Sequence, residues 1–238
     1  MTIEIKNVSK KFKGVEVLKD VSMTLREGHI YGFIGHNGSG KTVLLKLICA
    51  FLEPSAGEIL FDGINVIKNN QFPPSTRALI ERPSFISELS GKENLELLAN
   101  IEKKIGEKEI EEVLDKVGLT ENKDKLYYKY SLGMKQKLGI AQVLMEDPKI
   151  MILDEPMNGL DEDSVNKLRE ILLEEKAKNK LIILATHIKE DIELLCDEIY
   201  KFDDGVVSEE VKTSIELNRE TLKQESIKEQ EQTDIEII

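Results

Sequence analysis

Over the first sixty residues apolar and polar positions alternate in short runs. Ile3, Ile5 and Val8, then Val15, Val17 and Leu18, then Val21, Met23 and Leu25 stand between polar neighbours, as in half-buried strands. Ile30 to Ile34 is a compact apolar strand, followed by a glycine-rich segment and a helix from Val43 to Leu52 that ends before Pro54. Gly57 to Phe61, closed by Asp62-Gly63, predicts another strand. From about Arg82 to Glu146 the period changes. Apolar residues three and four apart predict helices over Glu93 to Ile101, Glu109 to Val117 and Leu132 to Met145, with a short strand, Arg77 to Ile80, just before them.

The strand–helix rhythm then returns. Strands are expected at Lys149 to Leu153, Leu181 to Ala185 and Glu198 to Phe202, with helices at Asp163 to Ala177 and Lys189 to Leu195. Such alternation implies an α/β fold with a mostly parallel sheet, interrupted by a helical insertion at about 82–146. Residues 206–238 read as a short extension, a strand followed by a marginal helix or disordered tail, because the chain there turns charged and lacks aromatics.

Composition narrows the function. With 40% hydrophobic residues the 238-residue chain can bury a full core, and its formal charge of −12 disfavours nucleic acid as a partner. Cys49 and Cys196 show neither zinc nor disulfide spacing, which suits a reducing cytoplasm. The first residues lack the apolar core of a signal peptide, and no run reaches the ~20 apolar residues of a membrane helix, so a transport role would require a separate membrane partner.

Two segments carry chemistry. Gly35-His36-Asn37-Gly38-Ser39-Gly40-Lys41-Thr42 fits the phosphate-loop pattern G-x-x-x-x-G-K-[ST] in its required context, between a strand and a helix. Its glycines let successive backbone N–H groups face one anion, and the helix start adds positive potential. Lys41 would reach the β- and γ-phosphates of ATP, and the Thr42 hydroxyl would bind Mg²⁺. The second segment is the apolar strand ending in Asp154 and Glu155. Parallel strands present their C-terminal ends on the edge where the phosphate loop lies. Asp154 would therefore hold Mg²⁺ through water, and Glu155 would orient or deprotonate the attacking water.

With these motifs in order, Tyr130-Ser131-Leu132-Gly133-Met134-Lys135-Gln136 resembles the signature of the ATP-binding cassette (ABC) family, usually Leu-Ser-Gly-Gly-Gln. The likeness covers about residues 1–205. It implies a P-loop NTPase with a mostly parallel sheet core, an N-terminal antiparallel β subdomain and an inserted α-helical subdomain. It also implies a head-to-tail dimer, in which Ser131 and Gly133 close over ATP held by the other subunit, docked on an integral membrane permease at the inner face of the membrane. An ordinary helix cap is the competing reading of Ser131.

Further positions match singly. Asp161 resembles the carboxylate of the loop that contacts the opposite subunit, and His187 resembles the switch histidine that senses the γ-phosphate. Phe12 stands where the family stacks an aromatic on adenine, with a core position as the alternative. Glu81 occupies the place of a Gln that ligates Mg²⁺; either side chain offers an oxygen, and a plain exposed Glu is the competing reading. Leu132 and Met134 depart from the usual signature. Together with Leu79-Ile80-Glu81-Arg82-Pro83 they look like the subfamily that serves bacitracin and lantibiotic resistance export. Rival classes are DNA- or ribosome-acting cassettes, disfavoured by the short insertion without sustained heptads and the single phosphate loop, and a soluble iron–sulfur assembly ATPase.

Overall fold

The computed structural model describes residues 1–210; the expectations for residues 211–238 lie outside the described residues. Near the N-terminus β1 (Thr2–Phe12) pairs antiparallel with both β2 (Val15–Arg26) and β4 (Ala56–Phe61), giving a three-stranded sheet in the order β2-β1-β4. The alternation predicts two strands where the structure has one, β2. The register against β1 shifts between Ile5 and Val8 and again after Val8, and Asp20 takes a left-handed backbone (φ 50°). An irregularity of this kind changes the phase of alternation without ending the strand, so Leu18 and Val21 both face the core.

The larger sheet holds β5 (Thr76–Leu79), β6 (Ile150–Asp154), β7 (Leu181–Ala185), β3 (Ile30–Ile34), β8 (Glu198–Asp203) and β9 (Val206–Glu210), in the order β5-β6-β7-β3-β8-β9. Its pairings are parallel except for β9, which runs antiparallel to β8. Every residue of β6 and β7 is buried, the outcome expected when helices or a second sheet cover both faces. Successive side chains serve opposite faces. Ile150 and Ile152 join a core with α1 (Lys41–Ile48) and the N-terminal sheet, whereas Met151 and Leu153 pack with α4 (Leu132–Leu144) and α5 (Glu162–Ala177).

The insertion contains α2 (Gly91–Glu102) and α3 (Glu107–Lys116) before α4, and α6 (Lys189–Leu195) follows β7. Helix α2 starts earlier than its apolar period predicts. Ser90 accepts from the Glu93 N–H and Glu93 returns a bond to the Ser90 N–H, a reciprocal cap that satisfies two otherwise orphaned donors. Helix α1 begins within the glycine-rich segment and stops short of Leu52, because Ala50 turns left-handed (φ 56°) and leaves Phe51 exposed.

A buried ion cluster ties insertion to sheet. The Glu175 carboxylate of α5 accepts from Lys116 of α3 and Lys178, each at 2.9 Å, and from Lys180, the residue before β7. Burial pushes the Glu175 pKa up, but the three ammonium groups outweigh it and bring it down to about 2. A carboxyl depressed in the fold binds fewer protons native than unfolded, so its stabilisation is complete above its ordinary value and fades as pH falls toward 2. Glu175→Ala is expected to lower stability at pH 7 by about 3 kcal/mol and to flatten the acid limb of a stability–pH curve between pH ~4.5 and ~2, as read by urea denaturation.

Candidate nucleotide-binding site

At the C-terminal edge of the large sheet, β3 leads through residues 35–40 into α1, and β6 ends at Asp154. Strand β7 lies between β3 and β6, so all three exits meet. Thr42 Oγ1 donates to Asp154 Oδ2 at 2.8 Å, joining the start of α1 to the end of β6. A pocket of about 420 Å³ opens here, lined by Asn37, Gly38, Gly40, Lys41, Thr42, Asp154 and Glu155, with Val17 of β2 and Val43 as apolar wall.

Behind the loop, packing dictates the sequence. Gly35 has φ 149°, and a Cβ there would stand 2.3 Å from the Phe202 carbonyl oxygen, so any side chain would drive the loop off β8. Ser39 is buried on the same side. Lys41 is buried too, and its Nζ donates to the carbonyls of Gly35 at 2.6 Å and His36 at 3.1 Å. Burial lowers the Lys41 pKa, opposed by the Glu155 and Asp154 charges. Burial likewise raises that of Asp154; the Thr42 hydroxyl opposes this and the Glu155 charge adds to it. A desolvated carboxylate beside a hydroxyl is a hard oxygen donor set, and Thr42 with Asp154 fits a magnesium ion.

Glu155 sits in a strained turn, with φ 50° in the left-handed region that costs a non-glycine residue roughly 1–2 kcal/mol. Three contacts hold it there. Its N–H donates to the Ala185 carbonyl at 2.8 Å, its Oε2 lies 2.8 Å from His187 Nδ1, and Gln136 of α4 donates to the carbonyls of Pro156 at 3.0 Å and Glu155 at 3.4 Å. Left-handed backbone held by its surroundings is typical of functional turns.

The remaining candidates lie off this pocket. Ser131 caps α4, its Oγ accepting from the Met134 N–H at 3.2 Å, and is exposed. Gly133 approaches the next loop so closely that a Cβ would stand 2.8 Å from the Gly159 carbonyl, while Leu132 packs on Gly159 and is otherwise 61% exposed. Asp161 caps α5 through the Ser164 N–H at 2.9 Å. Phe12 is not core: its ring is half-exposed, with Lys10 Nζ 5.0 Å from the centroid. The Glu81 carboxylate pairs with Lys46 Nζ at 2.6 Å, while Thr42 bonds to Asp154.

The ABC transporter family profile matches residues 18–158, more than half of the chain. The chain belongs to the ABC transporter family. It is 37% identical over 201 residues to the uncharacterised ABC transporter ATP-binding protein YhcH of Bacillus subtilis, a match that covers 83% of this chain and 65% of that protein's length. It is 35% identical over 223 residues to the bacitracin transport ATP-binding protein BcrA of Enterococcus faecalis, covering 93% of this chain and 72% of BcrA. Among solved structures it resembles cbiO1 from Clostridium perfringens, part of the ABC transporter complex cbiONQ, with TM-score 0.78, 26% identity and coverage of 99% and 98%.

Within this ABC ATP-binding subunit, one rim gathers the phosphate loop, both acids and His187, while Ser131, Gly133, Asp161 and Phe12 do not line the pocket. Sequence reasoning missed Val17, Lys46 and Gln136. A buried amide in the otherwise apolar face of α4 was the available signal for Gln136, which is 6% exposed. Gln136→Leu keeps the volume but removes both donors to the Glu155 turn. It is expected to lower kcat about tenfold while KM for ATP changes by less than about twofold, because the loss falls on positioning of the Glu155 turn, as a steady-state phosphate-release assay would read.

Proposed function

We propose that two copies of this chain sandwich ATP between the phosphate loop of one and the Ser131–Gly133 turn of the other, and that hydrolysis there drives export of peptide antibiotics through a separate permease. What carries the reading is a division of labour: the loop, Asp154 and Glu155 share one pocket, while Ser131, Gly133 and Asp161 do not line it, Ser131 and Asp161 being exposed at helix starts and Gly133 half-buried beside Ser131. Exposed helix-start donors without a ligand in their own chain suit a phosphate presented by another.

In this scheme the N–H groups of Gly38, Ser39 and Gly40, with Asn37 and Gly35 shaping the loop, wrap the β-phosphate, and Lys41 neutralises the β- and γ-oxygens. Val17 and Phe12 border the base. Thr42 and Asp154 hold Mg²⁺, with Glu81 as a further oxygen donor. The ion, when bound, offsets phosphate charge. Glu155 takes a proton from the water that attacks the γ-phosphorus in line. The γ-phosphate separates from ADP, and His187 stabilises the turn and contacts the γ-oxygens. Asp161 meets the opposite subunit.

The nucleotide-binding domain is taken as residues 1–205, with the helical subdomain at 82–146 inserted in it and a short extension after it. A groove of about 480 Å³ lies beside β5, lined by Cys49, Phe51, Phe72, Arg77 and Ala78 among others; Phe51 and Phe72 are 61% and 79% exposed. Its exposed aromatic rim suits a cytosolic helix of the permease. None of the described helices is long and apolar enough to cross a membrane, so anchoring at the inner face of the membrane is assigned to that partner. The name of BcrA supports bacitracin-like cargo. No observation favours the iron–sulfur alternative.

Glu155→Gln tests the scheme. The variant is expected to bind ATP, to lose kcat by about a hundredfold or more, and to run as an ATP-dependent dimer by size-exclusion chromatography. Turnover at the wild-type rate would remove Glu155 from its role.

A further inference from the structure

Glu81 is the one candidate metal ligand whose carboxylate already has a cationic partner. Lys46 stands one helical turn beyond Thr42 on α1, and its Nζ lies 2.6 Å from Glu81 Oε1. Glu81 itself follows β5 in a left-handed conformation (φ 62°), and its side chain bridges to α1.

The ion pair is therefore a clasp between α1 and the residue that follows the end of β5. The ammonium draws on the same carboxylate charge that a metal ion would use, so the two cations compete for it.

We propose that Lys46 is a positioning residue that competes with the nucleotide-bound metal for the Glu81 carboxylate, so that metal binding releases the clasp between α1 and the end of β5. The proposal rests on the reading of Glu81 as a metal ligand. It gives a physical use to a glutamate at this position: unlike an amide, a carboxylate can hold a lysine firmly in one state and a divalent cation in the other.

Both side chains are at the surface, so substitutions there leave the core untouched. The test uses the full chain saturated with ADP, with Mn²⁺ affinity read by electron paramagnetic resonance for wild type, Lys46→Met, Glu81→Gln and the double variant. ADP affinity measured without metal accounts for the lost Lys46 charge. Lys46→Met is expected to tighten Mn²⁺ about threefold when Glu81 is present and to have no effect when it is Gln. An equal change in both backgrounds, or a weakening in the wild-type background, would overturn the clasp while leaving Glu81 a ligand. If Glu81→Gln leaves Mn²⁺ affinity unchanged even in the Lys46→Met background, Glu81 is not a ligand, and that earlier reading fails along with the clasp.

Discussion

The hydroxyl of Thr42 and the carboxylate of Asp154, 2.8 Å apart, join two segments separated by more than a hundred residues of sequence. This contact depends on the parallel sheet, which brings the exits of β3, β7 and β6 to one edge. The polar groups are half-withdrawn from water there, so each is held by another: Lys41 by two loop carbonyls, Asp154 by Thr42, Glu155 by His187 and Ala185. Low local polarity strengthens such contacts and makes any missing one costly. The pocket is for this reason a preorganised unit rather than a set of independent side chains.

The strain at Glu155 gains meaning in that setting. Its left-handed turn is supported from three directions, one of which, Gln136, belongs to the signature helix. Helix α4 thereby carries the exposed Ser131 at its start and a support for Glu155 one turn further in. A displacement of Ser131 imposed from outside would reach Glu155 through a single rigid element. Leu132, set in place of the family's usual glycine, packs on Gly159 and links the same turn to the loop that precedes Asp161.

How much of this was legible in the sequence follows from the range of the interactions. The phosphate loop is written locally, as glycines and a Lys-Thr pair between strand and helix, and its position matched. Asp154 and Glu155 were legible because a buried strand's end is marked by the change from apolar to acidic. The α2 start was legible in principle, since Ser90 and Glu93 spell a capping box, but the apolar period alone placed it late. The continuity of β2 was not, because bulges against β1 disturb the alternation on which strand reading relies. Nor was the pairing of Lys46 with Glu81, which depends on how α1 lies against β5 and has no signature in either segment. Phe12 was open between core and binding surface, and the hairpin's geometry excludes the core.

The central claim is that one working site needs residues from two chains. It is tested most directly by mixing two inactive variants, Lys41→Ala and Ser131→Arg, and measuring ATP hydrolysis. In a mixed pair the Ser131→Arg chain keeps an intact phosphate loop and the Lys41→Ala chain keeps an intact Ser131, so one complete site is rebuilt and hydrolysis returns. Subunits that exchange yet recover no activity on mixing, with each variant dead alone, would mean that Ser131 serves its own chain and would contradict the account.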